Sequence, residues 1–145
     1  MSKYCEEFIE KYGVKRISRV GLRYINEIDV PSVKKILDWD KYINSNLITY
    51  SGFLKENQKT VTRMLNQIEM KTDDYNVIFK YGIWNDKYPS PITNSPFILD
   101  IDGFTRLAID YNKGELERVA IELNKEIESV FELSITASLR REMDK

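Results

Sequence analysis

The chain has 145 residues, of which 42% are hydrophobic and 31% charged, and its formal net charge is −1. This length and balance predict a single folded domain over residues 1–145 and exclude a disordered chain. The balanced charge gives no support to duplex nucleic acid as a partner, because proteins that bind it normally carry a basic excess.

The chain contains no histidine and only one cysteine, Cys5. The commonest general base, the commonest metal ligand and every histidine-activated nucleophile are therefore missing, and an internal disulfide is impossible. We predict no structural metal and no cofactor, and we assign no catalytic residue, although carboxylate, lysine or tyrosine catalysis stays open. One cysteine and no apolar run of about 18 residues predict a soluble, cytoplasmic protein without a membrane partner.

The first predicted element is a helix in the segment SKYCEEFIEKYG. Its apolar side chains recur at helical spacing: Cys5, Phe8, Ile9 and Tyr12. This face is expected to be buried, with Cys5 as a structural thiol. Ser2 suits the N-cap, and Gly13 suits the position that stops a helix.

A change of period then predicts one long strand over residues 14–30, which Pro31 ends. The side chains on its buried face are Val20, Leu22, Tyr24, Ile28 and Val30. The opposite face carries Arg19, Arg23, Glu27 and Asp29. Asn26 is a polar residue at an apolar position, so it is expected either to satisfy backbone groups at a bulge or strand end, or to contact a ligand.

The middle of the chain predicts a short helix and a hairpin. Asp38 is the expected N-cap of the helix, with Trp39, Tyr42 and Ile43 packed inward, and a loop is expected around residues 51–52. The segment KTVTRMLNQIEMK, residues 59–71, fits a helix or a strand. We predict a strand, because TDDYN follows with turn chemistry and YNVIFKYGIWN is a clear strand after it.

The remaining elements are a proline-rich loop, a strand in FILDIDGF and two C-terminal helices. Phe97, Leu99 and Ile101 fall on one face of that strand, and Asp100 and Asp102 fall on the other. The predicted order is α-β-(α)-β-β-β-α-α. The predicted fold class is α+β, with a mainly antiparallel sheet of about four strands and helices packed against one side.

The candidate binding residues are the charged pairs on the two best-defined strands. Asp100 and Asp102 share a strand face, where they could hold Mg²⁺ or work as paired carboxylates, or form salt bridges on a solvated face. Arg19 and Arg23 also share a face, where they could bind an anion, or pair with the two aspartates if the strands are neighbours. The aromatic residues could stack bases, but the core is their default location.

Three stretches together carry a resemblance: RVGLRYINEI (19–28), LDID (99–102) and FELSIT (131–136). They resemble an uncharacterised family of sporadically distributed prokaryotic proteins, with the motifs RvGLRYiN-I, lDiD and F-x-x-x-IT in this order. The resemblance covers nearly all of this chain but only the C-terminal half of a typical member, whose N-terminal half has its own strands. It supplies no activity, and the patchy distribution implies an accessory role, such as defence.

The functional expectation that follows is a non-catalytic binding or assembly module. A surface that the family's N-terminal half would cover is expected to be covered here by a second copy or by a separate partner chain. The alternative is a small enzyme or ligand-binding domain that acts on an anionic or metal–phosphate ligand through Arg19, Arg23, Asp100 and Asp102. A third reading is a single-strand nucleic-acid binder that uses exposed aromatic residues.

Overall fold

A computed structural model describes residues 3–48, 57–93, 96–106 and 108–144. Its strands are β1 (Arg16–Ile17), β2 (Gly21–Ile28), β3 (Met64–Lys71), β4 (Tyr75–Ile83), β5 (Phe97–Thr105) and β6 (Ile109–Asp110). Its α-helices are α1 (Lys3–Tyr12), α2 (Ser45–Ile48), α3 (Lys113–Ser134) and α4 (Ala137–Met143), and 3-10 helices occupy Ile36–Lys41 and Gln58–Thr60. No helix in these described ranges is long and apolar enough to cross a membrane.

Four strands form an antiparallel sheet in the order β2-β5-β4-β3, so β2 and β3 are its edges. The hairpin predicted for residues 64–83 is present: β3 and β4 pair from Met64 opposite Ile83 to Lys71 opposite Asn76. The strand alternative for residues 59–71 is thereby confirmed over Met64–Lys71. The architecture is α+β, as predicted from the order of the elements.

The core forms between one face of the sheet and α3. Every second side chain of β5 points to this side, so Phe97, Leu99 and Ile101 are fully buried. Leu123 and Ile127 of α3 meet them, and a Cβ placed on Gly103 would come within 3.2 Å of Ile127. The side chains that alternate along β5 thus pack against the side chains that recur at helical spacing on α3, and together they form one buried layer.

Two hydrogen bonds define the N-terminal half of α3: one caps the helix, and the other joins it to the hairpin. The N-cap Asn112 accepts a hydrogen bond from the Glu115 amide, and Tyr75 at the start of β4 donates to Glu122. Burial, together with this hydrogen bond to Glu122, raises the pKa of Tyr75 to about 12. The tyrosine therefore stays protonated as a donor over the ordinary pH range.

The prediction that the apolar side of α1 is buried is wrong for Phe8 and Tyr12. Both rings are exposed and contact each other at a tilt of 42°, with their centroids 4.7 Å apart. Helical spacing shows that a helix is amphipathic, but it does not show that another element covers the apolar side. The helix itself ends as predicted, since Gly13 has a φ of 59°. Ser2 and the side chain of Cys5 lie outside the described residues, as do residues 51–52.

The single strand predicted over residues 14–30 is also wrong, because the chain leaves the strand conformation at residues 18–20. The first part, β1, pairs with β6 in a separate two-stranded sheet, whereas β2 belongs to the main sheet. Strands of two residues carry no detectable period, so neither β6 nor the break was predicted.

The expected short helix is a 3-10 helix, and Asp38 is not its N-cap. The N-cap is Lys35, and the Asp38 carboxylate accepts hydrogen bonds from the backbone amides of Lys34 and Lys35, 2.9 Å each. The side chain of an aspartate at the third position of a helix can accept hydrogen bonds from backbone amides at the start of the helix, as Asp38 does here. Trp39, Tyr42 and Ile43 are buried as predicted.

Candidate functional site

The candidate site lies on the side of the sheet opposite α3, which we call the open face. Strand alternation and the register place there Arg23, Ile25 and Glu27 of β2, Ile98, Asp100, Asp102 and Phe104 of β5, Ile78 and Lys80 of β4, and Leu65, Gln67 and Glu69 of β3. Apolar side chains on this face are uncovered: Ile25 is 60% exposed and Leu65 43% exposed. Four of the five predicted site residues border it.

Two ion pairs join β2 and the segment before it to β5. Arg23 donates from Nε and Nη2 to the two carboxylate oxygens of Asp100, both at 2.7 Å. Arg19 donates from Nη2 to Asp102 at 3.2 Å, and its guanidinium lies 4.2 Å from the centroid of the Phe104 ring. The predicted alternative of pairing between these arginines and aspartates is therefore present in the structure.

The pairing follows from the strand register. Arg23 lies directly opposite Asp102 and Ile25 opposite Asp100, so Arg23 reaches Asp100 diagonally across the two strands. The hydrogen bond and the negative charge of Asp100 raise the pKa of Arg23 above its ordinary value. The Nε–Nη2 fork of Arg23 is therefore occupied by a carboxylate, whereas Arg19 gives Asp102 one hydrogen bond, from Nη2.

Asn26 lies apart from these four residues. It is on the α3 side of β2, where its Nδ2 donates to the carbonyl oxygen of Leu99 at 3.2 Å. It satisfies a backbone group as predicted, but in mid-strand rather than at a bulge or strand end. This hydrogen bond accounts for a polar residue at an apolar position without a ligand.

Next to the Arg23–Asp100 pair, the open face contains a groove of about 370 Å³. Its apolar walls are Ile25, Leu65, Ile98 and Trp84. In the register Gly82 stands between Leu65 and Ile98, and a glycine contributes no side chain there. An apolar groove with a few charged groups beside it can bind an apolar side chain or a small amphipathic molecule.

Trp84 is the largest apolar residue at this groove. The prediction that aromatic residues lie in the core by default is wrong for Trp84. The indole is 51% exposed, whereas Trp39 is buried. Its neighbour Asn85 is buried and holds the loop after β4 through hydrogen bonds to Thr62 and Ser90 carbonyls, at 3.0 and 2.7 Å. The exposed indole is thus carried by an anchored loop.

Asp100 and Asp102, which could have held Mg²⁺ together, each bind an arginine instead. Within the described part of the chain, no three His, Cys, Asp or Glu side chains come together as a metal would require. Asp100 and Asp102 each accept a hydrogen bond from an arginine. The groove and the ion pairs beside it can bind through shape, apolar contact and ionic pairing.

Comparisons with known proteins do not identify the chain. No protein-family model matches it, and neither the curated proteins nor the solved structures contain a significant match. The resemblance to the sporadically distributed family therefore stays a prediction.

We predict that Arg23 and Asp100 are energetically coupled. Replacing either with alanine should slightly lower the melting temperature, and the double mutant should lose less than the sum of the two, because the second change removes a pair already broken. Thermal unfolding of all four proteins measures this coupling, which should shrink as salt is added. A matched cycle of Arg23 with Asp40, in the 3-10 helix, should show no coupling. Equal coupling in both cycles would contradict the pairing.

Proposed function

We propose that this chain is a non-catalytic assembly module that binds another protein chain through its open face. The observation that supports the proposal is the apolar surface formed by Ile25, Leu65 and Trp84 around the groove. A long sheet face with exposed large apolar residues is a liability in a free protein, and such a patch commonly marks a site of protein contact.

The paired charges support a protein partner over an anionic ligand. Arg19 and Arg23 are already paired with Asp102 and Asp100, so the face presents apolar surface flanked by these ion pairs, with Lys80 as a further charged residue at the groove. Protein interfaces commonly have this composition, with an aromatic or aliphatic centre and a polar rim. A phosphate-bearing ligand would first have to displace a carboxylate from an arginine that binds it with two hydrogen bonds.

We infer that the assembly forms in the cytoplasm. The single cysteine in the sequence fits a reducing compartment, where structural disulfides are rare.

The proposal is tested by native mass spectrometry of the chain isolated from its own cells. We expect it to emerge with a different protein chain bound, in addition to any second copy of itself, and to lose that different chain when Leu65→Lys places a charge beside the groove. Ile68→Lys is the matched control, because Ile68 is 40% exposed on the same strand but on the side that faces α3.

Two results would contradict the proposal. One is an equal loss of the bound chain in both variants, with unfolding midpoints showing that both are folded. The other is a chain that emerges alone with a phosphate-bearing compound, which would favour the ligand-binding alternative through Arg19, Arg23, Asp100 and Asp102.

A further inference from the structure

The outer edge of β2, a strand of eight residues, pairs with no other strand that the structure describes. At the start of this strand the Thr105 amide donates to the Val20 carbonyl at 2.9 Å, which makes Val20 and Thr105 a hydrogen-bonded pair. Bonded positions alternate along an antiparallel strand. The N–H and C=O groups of Gly21, Arg23, Ile25 and Glu27 therefore point away from β5, toward the outer edge.

We propose that a second copy of this chain pairs its own β2 antiparallel to this edge, with Ile25 opposite Ile25 of the second copy. The two four-stranded sheets then form one continuous sheet of eight strands. The pairing uses the outer edge of β2, where Ile25 also borders the open face, and it involves neither Leu65 nor Trp84, so the inference goes beyond the proposed function. Because opposed residues of an antiparallel pair point to the same side, the two open faces lie side by side on one surface of the dimer.

Charge complementarity selects this register. With Ile25 at the twofold axis, Arg23 of each copy lies opposite Glu27 of the other, and the exposed Ile25 side chains meet in the centre. Arg23 binds Asp100 through Nε and Nη2, and its Nη1 donates to no residue that the structure describes. Glu27 makes no ion pair with any residue that the structure describes, so its carboxylate is available. Registers centred on Arg23 or on Glu27 would place two like charges directly opposite each other, which is destabilising.

The backbone supports the same register. Ile25, Arg23 and Glu27 all lie at the outward-pointing positions, so the central pair and both flanking pairs can form hydrogen bonds across the axis. Registers centred on Tyr24 or Asn26 keep these bonds but place Ile25 opposite a charged residue, Arg23 or Glu27 respectively. Only the register centred on Ile25 combines the hydrogen bonds with matched side chains.

The long helix α3 leaves room for this pairing, while α4 borders one end of the same edge, where Leu139 and Met143 line a groove with residues 25–30. α3 packs mainly on β5, one strand in from the edge. At a spacing of about 4.8 Å between strands, the two copies of β5 lie about 14 Å apart, so two α3 helices above them would also be about 14 Å apart. A helix with its side chains is about 10–12 Å across, so the two would not overlap.

The other edge of the sheet is less suited to the same arrangement. On β3, opposite charges can be matched by setting Glu69 against Lys71 of a second copy, which centres the pairing near the end of the strand. Only the last few residues of β3 would then overlap. On β2 the axis lies at the middle of the strand, and nearly its whole length is paired.

Sedimentation of the purified chain and three charge variants tests the inference. We expect the unmodified chain to dimerise, and Glu27→Lys and Arg23→Glu each to weaken the dimer roughly tenfold or more, because each puts two like-charged pairs across the axis. Mixed together, the two variants should form a heterodimer, since their charges are complementary. Glu69→Lys, the same change on β3, should leave the dimer intact.

Amide hydrogen exchange in the unmodified chain is a second test. It is needed because Arg23→Glu also breaks the ion pair with Asp100 within each copy, so that variant changes more than the dimer contact. The amides of Arg23, Ile25 and Glu27 should exchange slowly in the dimer and rapidly after dilution to the monomer. A chain that stays monomeric, a dimer in which these amides exchange rapidly, or a dimer lost only on Glu69→Lys would overturn the inference. Leu65→Lys should not change this dimer, whereas it should release a partner bound to the open face. Failure of the β2 dimer and failure of the open-face proposal therefore give different results.

Discussion

Gly82→Ala is expected to destabilise the protein by about 2–6 kcal/mol, the sum of backbone strain and steric overlap. Gly82 has a φ of 141°, which residues with a side chain rarely adopt. A Cβ at this position would lie 1.9 Å from the carbonyl oxygen of Met64 on the neighbouring strand. Urea unfolding should show the loss as a lower midpoint with an unchanged slope.

Gly114→Ala is the matched control for this substitution. Gly114 lies in the first turn of α3, and a Cβ there would make only an ordinary contact, 3.4 Å from the Asn112 side chain. Alanine in a helix should leave stability unchanged or raise it by up to about 1 kcal/mol. If Gly82→Ala were as stable as Gly114→Ala, the conformation of β4 beside the groove would be wrong.

Trp39→Ala is expected to cost about 3–5 kcal/mol, the usual loss for truncating a large buried aromatic residue. The indole is only 2% exposed, and its ring centroid lies 5.4 Å from that of Phe97 and 6.2 Å from that of Tyr42. It therefore joins the 3-10 helix to the first residue of β5. Calorimetry should show a large fall in the melting temperature.

The same substitution at the other tryptophan serves as the comparison. Trp84 is half exposed, and the guanidinium of Arg63 lies 6.0 Å from the centroid of its ring. Trp84→Ala should thus cost about 1 kcal/mol or less. A large loss at Trp84 would show that the indole stabilises the fold, and it would weaken the case for a docking surface there.

Much of the fold could be predicted from periodicity. The alternation in FILDIDGF predicts which side of β5 is buried, and the stripe through Leu123 and Ile127 predicts the side of α3 that covers it. The order β2-β5-β4-β3 could not be predicted in this way, because strand order depends on contacts between distant segments. The exposure of α1 was missed for the same reason, since periodicity does not identify the partner of a face.

The candidate site was predictable in part. The alternation of side chains along the strands places Arg19, Arg23, Asp100 and Asp102 on one side of the sheet. Only the structure shows that Arg23 binds Asp100 rather than Asp102, which lies directly opposite. The groove was missed, because it depends on Gly82 standing between Leu65 and Ile98. One sequence signal could have indicated it: Ile25 and Ile98 are large apolar residues at positions where alternation predicts polar ones.

Hydroxyl-radical footprinting of Trp84 is the most direct test of the claim that the open face binds another protein chain. The isolated chain and the assembly purified from its own cells are oxidised under the same conditions, and buried Trp39 serves as the internal reference. We predict that Trp84 is oxidised rapidly in the isolated chain and is strongly protected in the assembly, while Trp39 is protected in both. Equal oxidation of Trp84 in the two samples would contradict the account.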